Sequence, residues 1–369
     1  MRKVVNFHGI GRPGSGYGDA CINIAKAFSL TNIDLNFNLS KFKTIAESAK
    51  LKSCDAVGDI NFYVGPPPYK NMSEDKYNII YFYWEADRLP AYWGKFILKA
   101  DEIWAPCKLV ESACRRAGFS KKIRIVPTPY DKLANSKGYT LDIPSEISDK
   151  YFVGDNVFKF YSIFQWHHRK GPDILLNSYW KTFGRHDNVI LILKVNALNL
   201  PGHTIDDIRS DISSIKIKLN LNYYSPVYVI DSTLPKKYIE ALHNYSDCYI
   251  SPHRGEGWGM PIGDAISYKN PVIITKYGGI SDYLNQSNSA IIKHRLTHVK
   301  NMSWSPNIYN KSQRWAEPSV NSASELMRDV YENFDKYKIK AGRARSIISG
   351  FSIDSVSKII SENICQIKL

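Results

Sequence analysis

Short apolar runs alternate with amphipathic segments along most of the chain. In the first part, residues 4–8, 61–64, 78–84, 100–106 and 123–126 have the length and apolar character of buried strands. A further strand starts at Asp34, with Leu35, Phe37 and Leu39. Helical spacing marks 19–30, where Ile22, Ala25, Ala27 and Phe28 face inward, and also 91–99 and 109–117. The alternation resumes with strands 158–164, 189–195, 227–231, 248–251, 271–275 and 290–293. Helices 174–183, opened by Pro172, and 235–245 fall between them. A third follows residue 259, with Ile262, Ala265 and Ile266 at helical spacing. The polar segment 203–222 reads as a lid-like helix or insertion. Helices 320–337 and 353–367 close the chain. Strands that alternate with helices, without hairpin signals, predict α/β architecture with parallel doubly wound sheets.

A length of 369 residues suggests two such domains. The boundaries are 1–140 for the first, 141–157 for a linker, 158–350 for the second and 351–369 for a terminal helix. Polar character, Gly138 and Pro144 mark the wider linker region 132–155. The apolar content of 44% is that of a globular chain. The apolar run after Arg2 and Lys3 is too short for a signal peptide, and Lys194 interrupts 189–195, so no span is expected. Six scattered cysteines without a C-x-x-C pair predict a reduced, cytoplasmic protein and no zinc. The net charge of +14 predicts an acidic partner. No nucleic-acid-binding motif is present, so a phosphorylated substrate or an anionic membrane surface fits better.

The chemistry concentrates in His253-Arg254-Gly255-Glu256-Gly257-Trp258-Gly259-Met260-Pro261-Ile262-Gly263-Asp264-Ala265, between a strand and a helix. Its glycines admit close backbone approach, and Pro261 suits a first helical turn. The helix start then offers unpaired N–H groups to an anion. Glu256 and Asp264 lie about two helical turns apart. Arg169 and Lys170 precede a second helix, where two cations would hold a diphosphate. His167 and His168 lack matching metal ligands. Glu85 and Asp87 follow the strand 78–84 at its carboxyl end, where open α/β sheets bind ligands. Gly9-x-Gly11-x-x-Gly14 formally matches a dinucleotide fingerprint. Ser15–Gly18 is expected to prolong that loop, and Asp34 falls at the wrong end of its strand, so an NAD-dependent oxidoreductase is the weaker alternative.

The Glu256-x7-Asp264 spacing resembles the E-x7-E signature of retaining GT-B glycosyltransferases, family four (group 1) in particular. "RKG" at 169–171, "NPVIITKYGGISDYL" at 270–284 and the 100–131 stretch resemble other segments of that family, in the same order. The resemblance implies two Rossmann-like domains facing a cleft, with the last helix crossing back to the first. It implies a retaining, metal-independent transfer from a nucleotide-sugar, UDP- or GDP-linked, to a glycan, lipid-linked or protein acceptor, with no other cofactor. The implied catalytic residues are Glu256, Lys170, Arg169 and Glu85. The implied donor-binding residues are Gly16, Arg254, Gly257, Trp258, Gly259, Met260 and Asp264, the last in place of the usual glutamate. The histidine that many members carry near residue 85 is missing, which leaves a non-catalytic sugar-nucleotide-binding protein as another alternative.

Overall fold

The computed structural model describes residues 3–9, 14–37, 44–69, 72–131, 156–196, 204–232, 234–302 and 305–368. Most of the linker, and residues 10–13 of the glycine-rich loop, lie outside these. The chain forms two units, one of residues 1–133 and 347–369, the other of 134–346.

The first unit holds β1 (Lys3–Gly9), α1 (Gly16–Ser29), β2 (Ile33–Asn36), α2 (Thr44–Ala49), β3 (Ile60–Val64) and β4 (Tyr77–Tyr81). A tight helical turn, Ala91–Trp93, leads into α3 (Gly94–Ile97), then β5 (Glu102–Ala105), α4 (Lys108–Arg116) and β6 (Lys122–Ile125). The six strands are parallel in the order β2-β1-β3-β4-β5-β6. Phe7, Phe28, Phe62 and Trp104 are fully buried and interlock, with Phe28–Phe62 and Phe62–Trp104 centroids 4.9 and 5.1 Å apart.

The second unit holds β7 (Phe158–Gln165), α5 (Pro172–Thr182), β8 (Val189–Asn196), α6 (Ile205–Leu219), β9 (Val227–Ile230), α7 (Lys236–Tyr245) and β10 (Cys248–Ser251). Then follow α8 (Met260–Ser267), β11 (Val272–Thr275), β12 (Ala290–Ile292), β13 (His294–His298), β14 (Arg314–Pro318), α9 (Val320–Glu332) and α10 (Phe334–Ile348). Strands β7 to β12 form a parallel sheet in the order β12-β11-β10-β7-β8-β9. The final helix, α11 (Ile353–Cys365), belongs to the first unit and packs on α1. Lys3 Nζ donates to the carbonyls of Ile364 and Ile367 at 2.8 and 2.7 Å, which ties β1 to the end of that helix.

Besides the short helix α2, which no spacing predicted, three elements differ from the sequence expectations. Helix α1 starts at Gly16, so Gly16–Gly18 form its first turn instead of prolonging the loop. Ser15 Oγ accepts from the Gly18 amide at 3.1 Å and caps it. Gly14 nevertheless lies before the Ser15 cap, outside the helix whose first turn should hold the fingerprint's third glycine, so that objection and the position of Asp34 in β2 both remain. Second, β13 and β14 pair as an antiparallel ribbon after the expected last strand. Third, the helix expected over 320–337 breaks at Asn333, whose φ/ψ of −121°/43° ends α9, and α10 follows at once.

Candidate active site

Three loops leave the carboxyl ends of neighbouring strands in the second sheet: 166–171 after β7, 252–259 after β10 and 276–278 after β11. Strands β7 and β10 are adjacent, and the chain order runs outward in opposite directions from them. Such a switch point is where open α/β sheets bind ligands.

Glycines let the outer two loops press on the middle one. A Cβ on Gly171 would sit 2.1 Å from Pro252 O, and one on Gly278 only 1.8 Å from Glu256 O. Both also have positive φ, +73° and +102°. Backbone bonds then fix the middle loop. Arg254 N donates to Arg169 O at 2.7 Å, Gly279 N to Glu256 O at 3.0 Å, and Ala316 N to Arg254 O at 2.9 Å. Arg169 Nη1 donates to Gly255 O at 2.8 Å.

On this scaffold Lys170 Nζ pairs with Glu256 Oε2. Both side chains are mostly buried, at 15% and 13% exposure. Burial alone would raise the Glu256 pKa, but the Lys170 ammonium, the Arg169 guanidinium and His253 outweigh it. They lower it to about 2. Glu256 is therefore a carboxylate at any physiological pH. An ammonium has three donors and a carboxylate two acceptor oxygens, so the pair keeps hydrogen-bonding capacity for a ligand. The structure thus brings Glu256, Lys170 and Arg169 together on these loops.

Arg254 is placed differently from its expected donor-contacting role. It is 1% exposed. Its Nη1 donates to His168 O at 2.7 Å and Asp173 Oδ1 at 2.8 Å, and its Nη2 to Asp173 Oδ2 at 2.8 Å and Glu317 Oε1 at 2.7 Å. Its Nε donates to Glu317 Oε2 at 3.1 Å. All five N–H donors of the guanidinium are thus occupied within the protein. Arg254 is a positioning residue that joins the 166–171 loop, the start of α5 and the ribbon. Asp173 and Glu317, its carboxylate partners, were not among the expected site residues.

His253 was also missed as a site group. It is fully buried beneath the motif. The Tyr277 carbonyl at 3.0 Å accepts from Nε2–H, which leaves Nδ1 to accept from Ser251 Oγ–H, also at 3.0 Å. Burial, assisted by Lys170 and Arg169, lowers its pKa to about 4. It is a neutral spacer whose tautomer is set by a backbone oxygen.

Gly259 has φ +87°, and a Cβ there would meet Ile280 Cγ2 at 2.7 Å. It starts α8, with Met260 half-buried in the first turn and Pro261 beside it. Trp258 is 3% exposed, its ring 5.2 Å from Tyr283 by centroids, and Tyr283 Oη donates to Trp258 O at 2.8 Å. The Trp258 side chain therefore packs inward, and its Cα lies against Gly279, where a Cβ would come within 2.9 Å of it. Gly257 is buried. Asp264 is half-buried one turn into α8. Burial raises the Tyr249 pKa, and the charges of Glu256 and Asp264 add to that rise.

Gly16 and Glu85 belong to the first unit. A Cβ on Gly16 would meet nothing within 4 Å, so packing does not require glycine there. Glu85 is half-buried between the buried Trp84 and Ala86, in the segment after β4. Among the described residues no three His, Cys, Asp or Glu side chains gather as a metal site. Nor is any described helix long and apolar enough to cross a membrane.

Residues 220–301, which include β10, the motif and β11, match the family of glycosyl transferases group 1. Two parallel six-stranded sheets with flanking helices make the chain a GT-B-fold protein, and its site-bearing segment is similar to that glycosyltransferase family. Solved structures with the same fold include Anabaena HepE in complex with UDP and glucose. It is 15% identical over 100% of both chains, with a TM-score of 0.68. An E. coli structure described as trehalose-6-phosphate bound with UDP-2-fluoro glucose is 12% identical over 100% of both chains, with a TM-score of 0.68. Sucrose-phosphate synthase from Thermosynechococcus elongatus is 10% identical over 99% of both chains, with a TM-score of 0.67. No curated protein matches the chain by sequence.

Proposed function

We propose that the chain transfers a sugar from a nucleotide-sugar to a glycan, lipid-linked or protein acceptor, with retention and without a metal ion. The observation that carries this reading is the buried Lys170–Glu256 pair, held at the switch point beside the start of α8. Sugar transfer develops positive charge on the sugar and negative charge on the departing diphosphate, and preorganised charges stabilise both. Lys170 and Arg169, with the N-terminal amides of α8, take the diphosphate. Glu256 accepts from the sugar hydroxyls through its free oxygen. The backbone of Gly257–Gly259 and the Met260 turn lie along the donor, and Asp264 takes the ribose. On the first unit, Gly16 is the candidate donor contact and Glu85 the candidate acceptor or catalytic group. UDP- and GDP-sugars are the first donors to test, since the HepE complex of the same fold contains UDP and glucose. An acceptor at an anionic membrane suits the basic charge.

The test is nucleotide release from UDP-, GDP-, ADP- and dTDP-sugars in the presence of EDTA, with Glu256→Gln as the control. Release from one donor, lost in the variant, establishes the reaction and the donor. Donor binding without release, on every acceptor tried, points instead to a non-catalytic sugar-nucleotide-binding protein. Neither binding nor release rejects the reading, and NAD binding in its place would revive the oxidoreductase.

A further inference from the structure

The ribbon β13–β14 lies outside both parallel sheets, and its outer face carries no acid, with Arg314 on it and Lys276 and Lys311 beside it. Cross-strand partners share a face, so His294, Leu296, His298 and Arg314 project together, opposite Trp315 and Glu317. All four are exposed, Leu296 at 54%. Tyr277 extends this face: its hydroxyl donates to Arg314 O at 3.0 Å, and its ring centroid is 6.4 Å from that of His294. Lys276 precedes it, and Lys311 is joined to His298, whose Nδ1–H donates to Lys311 O at 2.8 Å.

Between residues 293 and 318 the sequence has Lys293, Arg295, Lys300, Lys311 and Arg314 against one acid, Glu317. That acid is engaged by Arg254. The side chains of Lys276 and Lys311, beside this face, make no hydrogen bond or ion pair among the described residues, whereas Arg295 lies on the opposite face with Glu317. A cation-rich stretch of the first unit differs. Arg115, Arg116, Lys121 and Arg124 are committed to backbone carbonyls, Asp101 or Glu102.

We propose that the outer face of the ribbon docks the protein on an anionic lipid bilayer. Uncommitted cations attract acidic headgroups, and their effect falls off within a Debye length, so they must lie at the surface, as these do. Leu296 decides between polyanions. An exposed leucine among cations gains nothing on a sugar-phosphate backbone, whereas it enters the headgroup–acyl boundary of a bilayer. Tyr277, with an apolar ring and a polar tip, suits the same depth. The ribbon is also joined to the candidate site through Glu317–Arg254 and through the Tyr277 carbonyl on His253. Docking would thus hold that site near a membrane-borne acceptor, which extends the proposed reaction without depending on it.

The test is co-sedimentation of the full chain with vesicles of phosphatidylcholine alone, or with a third of the lipid as phosphatidylglycerol. The expected result is binding to the anionic vesicles only, weakened by salt. Lys276→Glu/Lys311→Glu should lower partitioning about fivefold or more per cation lost. Leu296→Asp should lower it as well, and Lys218→Glu on the exposed α6 should not. Thermal melts confirm that each variant is folded. Equal binding to both vesicle types, wild-type binding by the ribbon variants, or no binding at low salt overturns the proposal. So does retention on RNA or an anionic polysaccharide with none on vesicles. No outcome bears on nucleotide release, so this proposal and the proposed reaction fail separately.

Discussion

Arg254 and Glu256 are two residues apart and serve different ends. Arg254 is closed off by Asp173 and Glu317, so truncating it leaves two carboxylates without their buried cation. Removing one partner of a buried pair costs about 3–5 kcal/mol. Arg254→Met should therefore lower the unfolding free energy of the second unit by about that much, measured by denaturant titration. Glu256→Gln leaves the Lys170 ammonium without its buried carboxylate and should cost stability of the same order, but it should also lower donor turnover per folded molecule by about 10²–10³, the range for losing one preorganised charge. If both variants lose stability equally with unchanged turnover per folded molecule, the division between holding and acting is wrong. Sequence could not separate the two residues, because spacing reports which side chains are near a loop and not which have exhausted their donors. Asp173 and Glu317 were illegible for the same reason. They act through Arg254, from positions 81 residues before it and 63 after it.

At the scale of elements, the parallel strands and their flanking helices were legible because buried strands read as apolar runs and helices as amphipathic ones. The ribbon was not. Its strands alternate around a connection of 299–313, which has no two-residue turn signal. The break at Asn333 was hidden too, since neither glycine nor proline marks it. The glycines were visible, but their purpose was not. Gly278→Ala would push a Cβ to 1.8 Å from Glu256 O at a φ of +102°. It should lower stability by several kcal/mol, about 1–3 of it from backbone strain, and displace the loop. Gly16→Ala meets open space and should leave the melting temperature unchanged or slightly raised. If Gly16 contacts the donor as proposed, that variant should nonetheless raise the donor KM. A melting temperature lowered by Gly16→Ala, or unaffected by Gly278→Ala, would contradict these placements.

At the scale of the whole molecule, the order of segments along the chain carried the fold, and the partition of ionisable groups between the two units carries a last consequence. The first unit contains one histidine, His8. The second half-buries His168 and buries His243 and His253, and this burial lowers their pKa values to about 4, 3 and 4 from an ordinary 6.5. A lowered histidine pKa means that the unfolded chain binds protons the folded chain refuses. Stability then falls as pH drops from 6.5 toward 4, by roughly 1–2 kcal/mol per histidine at pH 5. Glu256 adds a separate loss lower down. Its folded pKa of about 2 lies below the ordinary 4.5, so its contribution is present above 4.5 and disappears as pH falls toward 2. The second unit should therefore open first in mild acid. Hydrogen exchange at pH 7 and 5, corrected for intrinsic rates, should show lost protection in β10 and β11 while β1 and β3 keep theirs. Equal losses in both units would mean that the buried histidines do not set the acid response, and that a more general repulsion among the excess cations does.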